Sequence, residues 1–191
     1  MRIDAIVGGC SVTDNKNRAK VTHASIWPTV WKWTLILAAF KAVYNVLLWM
    51  TGLISAPGVS LLGIAVSVVL VVFALKSFRT LNNGYLTFGQ GFGIGYVASV
   101  LSAVISGAVQ AVYLGSFGSD QLAAQAAAAM GQLGDTPGMD PQALEMMSGM
   151  FRAIYTPGGI FIAGVVSAVI GWAIVAPIIA AAVKKPPPLA D

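Results

Sequence analysis

Charge disappears from this chain over long intervals. Ala42 to Leu75, Thr80 to Ser119 and Ala153 to Val183 contain no Asp, Glu, Lys or Arg. Each interval is long enough to cross a bilayer core about 30 Å thick, which takes roughly 20 helical residues. The first adjoins another apolar run that starts near Trp31, so the pattern predicts four spanning helices. Soluble domains average about 25% charged residues because their surfaces meet water. This chain of 191 residues has 9% charged and 57% hydrophobic residues, with a mean hydropathy of +0.80. The expected fold class is an all-α integral membrane protein. It has four transmembrane helices and a short extracytoplasmic helical hairpin between helices three and four.

The boundaries follow from local signals. Residues 1–26 are polar, mixed in charge and aperiodic, and read as a mobile cytoplasmic head. Residues 27–185 form the membrane domain, and 186–191 a proline-rich tail. Trp27, Trp31 and Trp33, with Lys32 among them, mark a headgroup interface. Helix one is predicted from about Pro28 to Ile54, and helix two from Val59 to Phe78 after the break Ala56-Pro57-Gly58. So short a connection makes the two antiparallel neighbours. Thr87 and Gln90 fit a capping box, so helix three starts near Phe88 and runs to about Gly115.

Residues 116–157 form the one sizeable soluble segment. Asp120 to Leu133 is alanine-rich and helix-prone. Asp140-Pro141 opens a second short helix to about Tyr155, with Leu144, Met147, Phe151 and Ile154 near one face. The pair reads as a hairpin resting on the membrane surface, and Met146, Met147 and Met150 as packing residues. Helix four runs from about Gly159 to Val183 and stops at Lys184-Lys185.

The net charge is +4, but the basic residues flank apolar runs instead of forming a patch. That is a topology signal and argues against a nucleic-acid partner. One side receives the head, Lys76, Arg79, Lys184 and Lys185; the other receives Arg152 with Asp120, Asp135, Asp140 and Glu145. Both termini are therefore expected in the cytoplasm. Val7-Gly8-Gly9-Cys10 faintly resembles a lipoprotein processing site, yet the stretch before it is short and holds Asp4. A free thiol at Cys10 is expected, and helix one is expected to act as its own insertion signal.

Small residues recur every four positions along helix three, at Gly91, Gly95, Ser99, Ala103, Gly107, Ala111 and Gly115. Such spacing lets helix backbones approach closely in lipid. A step of four drifts about 40° at 3.6 residues per turn, so the ladder winds round the helix and can serve more than one neighbour. It predicts packing within the bundle, with a dimer interface as the alternative. Lys41 lies roughly 11 Å inside the tryptophan belt at 1.5 Å per residue. A lysine so deep costs about 3 kcal/mol on insertion scales. Thr34, Ala38, Lys41, Asn45 and Gly52 share one face, and no acid occurs in any span. Ser67, Ser99 or Ser102 lie at similar depth, and Gln110 further out. The candidate ligand or partner contacts are thus Lys41, Asn45, Ser99 and Ser102. The competing reading is a lysine simply held by hydroxyls, carbonyls and water.

No catalytic set, metal site or cofactor is expected. The one histidine and one cysteine both lie in the head. Gly89-Gln90-Gly91-Phe92-Gly93 lacks the preceding strand and the Lys-Ser/Thr of a phosphate loop.

Lys76-Ser77-Phe78-Arg79, then Asn83 to Gly95 with its Tyr-x-Thr-Phe-Gly-Gln stretch, then a Met-rich helix ending at Thr156-Pro157-Gly158 and a small-residue helix closing at Lys184-Lys185 carry a resemblance. The chain resembles, from about Trp31 to Lys185, the bacterial membrane family catalogued as domain of unknown function 4199. The resemblance implies four spanning helices in a bacterial inner membrane and no established activity. The expected role is a non-enzymatic structural or accessory subunit, with the lipid bilayer, other membrane subunits or itself as partners. The alternative is a small transporter or a lipid- or ligand-binding protein built around Lys41 and Asn45.

Overall fold

Four of the described helices begin where a proline or an oxygen-bearing side chain meets the orphan N–H groups of a first turn. The computed structural model describes residues 25–56, 58–134 and 140–186. The six helices among them are α1 (Trp27–Thr51), α2 (Val59–Leu81), α3 (Phe88–Ser116), α4 (Ser119–Gly134), α5 (Pro141–Ile154) and α6 (Pro157–Val183). Pro28 sits in the first turn of α1, where its missing N–H leaves no hydrogen bond unmade. The predicted capping box opens α3. The Gln90 N–H donates to the Thr87 hydroxyl at 3.3 Å, and the Thr87 N–H to the Gln90 side chain at 3.1 Å. Asp140 caps α5 by accepting from the Gln142 N–H at 3.2 Å, and Thr156 caps α6 by accepting from the Gly159 N–H at 2.9 Å.

Several boundaries differ from expectation. α1 stops at Thr51, short of Ile54, because Gly52 turns left-handed at φ 72° and returns its N–H to the Trp49 carbonyl. Only a residue without Cβ adopts that conformation freely. A 3₁₀ turn, Leu53–Ser55, follows. α2 runs past Phe78 to Leu81, which places Arg79 in its last turn. α6 starts at Pro157, two residues before Gly159, because Thr156 supplies the cap. On α5, Leu144, Met147 and Phe151 are half-buried, but Ile154 is exposed and Tyr155 takes the inward place. Met146 and Met150, expected to pack, are exposed at 67% and 59%. The head and tail read at 1–26 and 186–191 lie outside the described residues, except for Ser25, Ile26 and Pro186. The sequence also places a break at Gly134-Asp135-Thr136-Pro137-Gly138 after the alanine-rich helix, and beyond Gly134 it too lies outside the described residues.

Four helices are long and apolar enough to cross a membrane: α1, residues Leu61–Leu81 of α2, α3 and α6. α3 is central, and packs most extensively on α6 and then on α1. The pairs Gly91–Ala180, Gly95–Ala176 and Gly107–Phe161 show that α3 and α6 run antiparallel. α1 runs parallel to α3, with Ile26 beside Gly93 and Lys41 beside Ser102. α4 leans on α3 and α5, and α5 on α6.

Two apolar clusters hold the long helices together. The larger lies at the end carrying both termini of the described chain, and includes Val30, Leu37, Val71, Leu75, Phe78, Leu86, Ile94 and Ile179. The smaller, at the other end, gathers Trp49, Leu114 and Leu122. The loop between α2 and α3 is clipped to the end of α6. The Leu86 N–H donates to the Lys185 carbonyl at 2.8 Å, and the Lys185 N–H to the Leu86 carbonyl at 2.9 Å.

The bare positions on α3 generate a prediction. A Cβ at Gly95 would lie 3.3 Å from Val71 Cγ1, and one at Gly107 would lie 3.1 Å from Phe161 Cδ2. Gly95→Leu and Gly107→Leu should each destabilise the detergent-solubilised protein by about 1–3 kcal/mol through overpacking. Val112 is 68% exposed, and Val112→Leu should leave the melting temperature unchanged. Equal melting of all three variants would remove close α3 packing from this account.

Candidate functional site

Between the two apolar clusters lies a polar layer. Lys41 reaches from α1 toward α3, where its ammonium donates to the Ser102 hydroxyl at 2.9 Å and to the Ser99 carbonyl at 3.4 Å. Ser102 in turn donates to the Ser99 carbonyl at 2.8 Å. From α6, the Trp172 ring stands 5.6 Å from the Lys41 nitrogen. Asn45, one turn further on, donates to the Lys41 carbonyl at 2.9 Å. No Asp or Glu occurs in α1, α2, α3 or α6.

The magnitudes explain how a lone cation is tolerated. Placing a lysine at the centre of a spanning helix costs about 2.5–3.5 kcal/mol. A hydrogen bond to a charged group contributes about 1.5–3 kcal/mol, and a desolvated cation–π contact about 2 kcal/mol. Ser102 and Trp172 together offset the insertion cost without an acid. One ammonium N–H is left over, because the lysine has three donors and uses two.

Two cavities flank this layer. The first, about 390 Å³, lies between α1, α2 and α6, and is walled chiefly by Phe40, Tyr44, Ile64, Val68, Trp172 and Val175. The second, about 260 Å³, lies between α1, α3 and α6, and receives Ser106, Gln110, Phe161 and Gly164. Lys41, Asn45 and Ala168 line both. Gly63 shapes the first cavity, since a Cβ there would lie 2.7 Å from Tyr44 Cε1. The Tyr44 ring covers that bare position, donates its hydroxyl to the Val59 carbonyl at 2.6 Å, and stacks on Phe40 at 5.6 Å.

The candidate residues Lys41, Asn45, Ser99 and Ser102 thus meet in one layer. Ser67 lines the first cavity but donates to the Gly63 carbonyl of its own helix at 2.8 Å. Of the small-residue ladder, Gly91, Gly95 and Gly107 lie against side chains of α6, and Gly115 comes near Pro157. Ser99 turns its carbonyl to Lys41, Ala103 lines the second cavity, and Ala111 is half-buried. Gln110, expected further out, shares the second cavity with Lys41. Trp172, Tyr44 and Phe40 were not anticipated. The available signal for Trp172 was a tryptophan deep inside an apolar helix, far from either headgroup level. Among the described residues, no group of three or more His, Cys, Asp or Glu side chains could hold a metal ion.

Four helices long and apolar enough to cross a membrane, enclosing a polar layer, give the chain the architecture of a multi-pass helical membrane protein. Residues 32–185 match the family described as "Protein of unknown function (DUF4199)", and the chain belongs to that family. No curated protein and no solved structure matches it.

If the Ser102 hydroxyl is the ammonium's chief partner, its loss should matter only while the charge is present. Ser102→Ala should cost about 1–3 kcal/mol in the wild-type background, the penalty of an unsatisfied buried polar group. In the Lys41→Met background it should cost less than about 1 kcal/mol. A double-mutant cycle on thermal or denaturant unfolding measures the coupling. Equal costs in both backgrounds would sink the pairing.

Proposed function

We propose that the protein is a non-enzymatic ligand-binding protein of the bacterial inner membrane, with its site in the Lys41–Asn45 layer. The ligand presents a negative charge or a strong hydrogen-bond acceptor to Lys41. One observation carries the reading: Lys41 lines two cavities, has a donor to spare, and has no acid in any long helix to neutralise it. Ionisable residues at such depth ordinarily mark ligand or ion sites. Among the described residues the layer offers one lysine, hydroxyls and amides, and the Tyr44 phenol beside it is committed to the Val59 carbonyl, which supports a binding site more than an acid–base or nucleophile–base pair.

The one-sided placement of lysine and arginine supports cytoplasmic termini, with α4 and α5 on the opposite face. Exposed Phe117, Met146 and Met150 support α4 and α5 lying against the headgroups, where apolar side chains favour contact with the bilayer. A second reading, an accessory subunit, is favoured by Gly164 and Gly171 on α6. A Cβ at either would meet nothing within 4 Å, so this small-residue face is free for another helix.

Two measurements test the proposal. Native mass spectrometry of protein released from detergent should find a small acidic species on wild type that is absent from Lys41→Met, with both melting alike. The same species on both proteins would refute a Lys41 site. For orientation, a cysteine at Asp140 in a Cys10-free variant should label from outside the cell, while one at Lys185 stays protected. The reverse pattern overturns the topology.

A further inference from the structure

The two cavities differ in chemistry, and the difference identifies a class of ligand. The second cavity is polar where it meets Lys41, through Asn45, Ser106 and Gln110. Ser106 is occupied by the Ala103 carbonyl at 3.4 Å. The Gln110 amide makes no hydrogen bond to another described residue. Its two N–H groups join the spare Lys41 donor as groups suited to an oxyanion. The first cavity is walled mostly by aromatic and aliphatic side chains, with Lys41, Asn45, Ser67 and Ser167 as its other polar contacts besides Tyr44.

The first cavity also opens sideways. α2 and α6 make little contact with each other; Val71 of α2 and Ala176 of α6 both lie within 4 Å of a Cβ built at Gly95, toward the end that carries the termini. Further along the bundle, Ile64 on α2 is 55% exposed, and Ser167 and Gly171 on α6 are exposed while still lining the cavity. If the long helices cross a bilayer, as the ligand-site reading above requires, this rim faces acyl chains and not water. At about 390 Å³ the cavity is at the small end of ligand sites, which run about 300–1,000 Å³. It has room for one chain.

We infer that the layer binds a single-chain anionic amphiphile, its carboxylate or phosphate head beside Lys41 and Gln110 and its apolar tail in the cleft between α2 and α6. The inference rests on the ligand-site reading and adds the tail and the lateral route. The division of labour follows from the solvent. A tail moving from lipid into an apolar cleft gains little, since lipid is as apolar as the cleft wall. The tail therefore confines the ligand to the bilayer and aligns it, while pairing of the head with Lys41 in a low-dielectric layer supplies the discrimination.

The test uses the full chain in a non-ionic detergent, with binding followed by tryptophan fluorescence and melting temperature. The probes are dodecanoate and dodecyl phosphate, with dodecanol, acetate and inorganic phosphate as comparisons. Dodecanoate or dodecyl phosphate should bind saturably and raise the melting temperature, and whichever binds more tightly identifies the head. Dodecanol, acetate and inorganic phosphate should not bind. Lys41→Met should weaken binding by about thirtyfold or more, as when one partner of a buried charge pair is removed. Gly171→Leu adds bulk where a Cβ meets no atom within 4 Å; it should melt like wild type and lose binding, which keeps the test decisive even if Lys41→Met fails to fold. Lys41-dependent binding of acetate or inorganic phosphate, as tight as that of the chained probes, would overturn the amphiphile and leave an anion site. Dodecanol binding as tightly as dodecanoate, or unaltered dodecanoate binding by folded Lys41→Met, would overturn both readings. Cross-linking of a Gly171→Cys variant in membranes to another polypeptide that excludes dodecanoate would assign the cleft to a partner helix and overturn the inference.

Discussion

An unneutralised ammonium at mid-depth is the constraint that organises this protein. No acid occurs in the four long helices, so within them the Lys41 charge is met by dipoles and a π face, or by something bound. α3 supplies the Ser102 hydroxyl and the Ser99 carbonyl, and α6 supplies the face of Trp172. These contacts define a layer that separates two apolar clusters. Each cluster closes one end of the bundle, and the layer between them is where space remains.

The packing of α3 explains why that space is local. Toward the termini, Gly91 and Gly95 let Ala180 and Ala176 approach, and helices close enough for backbone contact leave no cavity. At the layer, the residues that α6 presents to α1 and α2 change character. Trp172 holds the Lys41 side, while Ser167, Ala168 and Gly171 leave volume unfilled against α2. Close packing and the cleft are thus produced by the same two helices at different depths. Gly63 contributes the opposite device, a bare position that admits the Tyr44 ring and lets it serve as cavity wall.

Much of the scaffold was legible in the residues themselves. Charge-free runs locate α2, α3 and α6, and the apolar run that starts near Trp31 locates α1 despite Lys41, because charge within hydrocarbon is costly and therefore rare. Thr87 with Gln90 and Asp140 with Pro141 identify helix starts because capping is decided within one turn. Boundaries set by backbone conformation were less legible. Gly52, not the Pro57 break, ends α1, and a glycine's left-handed turn has no signature distinguishing it from any other glycine. Met146 and Met150 were misread for a related reason. A methionine suits a packed face and an exposed one equally well, and only the placement of α5 on α4 and α6 decides between them.

The candidate site divides along the same line. Lys41 was evident from sequence alone, since a deep lysine without an acid is anomalous wherever its helix packs. Its spacing from Asn45 places both on one stripe of α1 by helical geometry. Which serine receives the ammonium, that Ser67 turns back on its own helix, that Gln110 joins the same cavity and that Trp172 covers the charge were all decided by tertiary structure. Local sequence determines what lies at each depth along a helix. Rotation and crossing of one helix against another decide which residues at that depth meet, and those are set by the summed packing of small and large side chains along the whole contact.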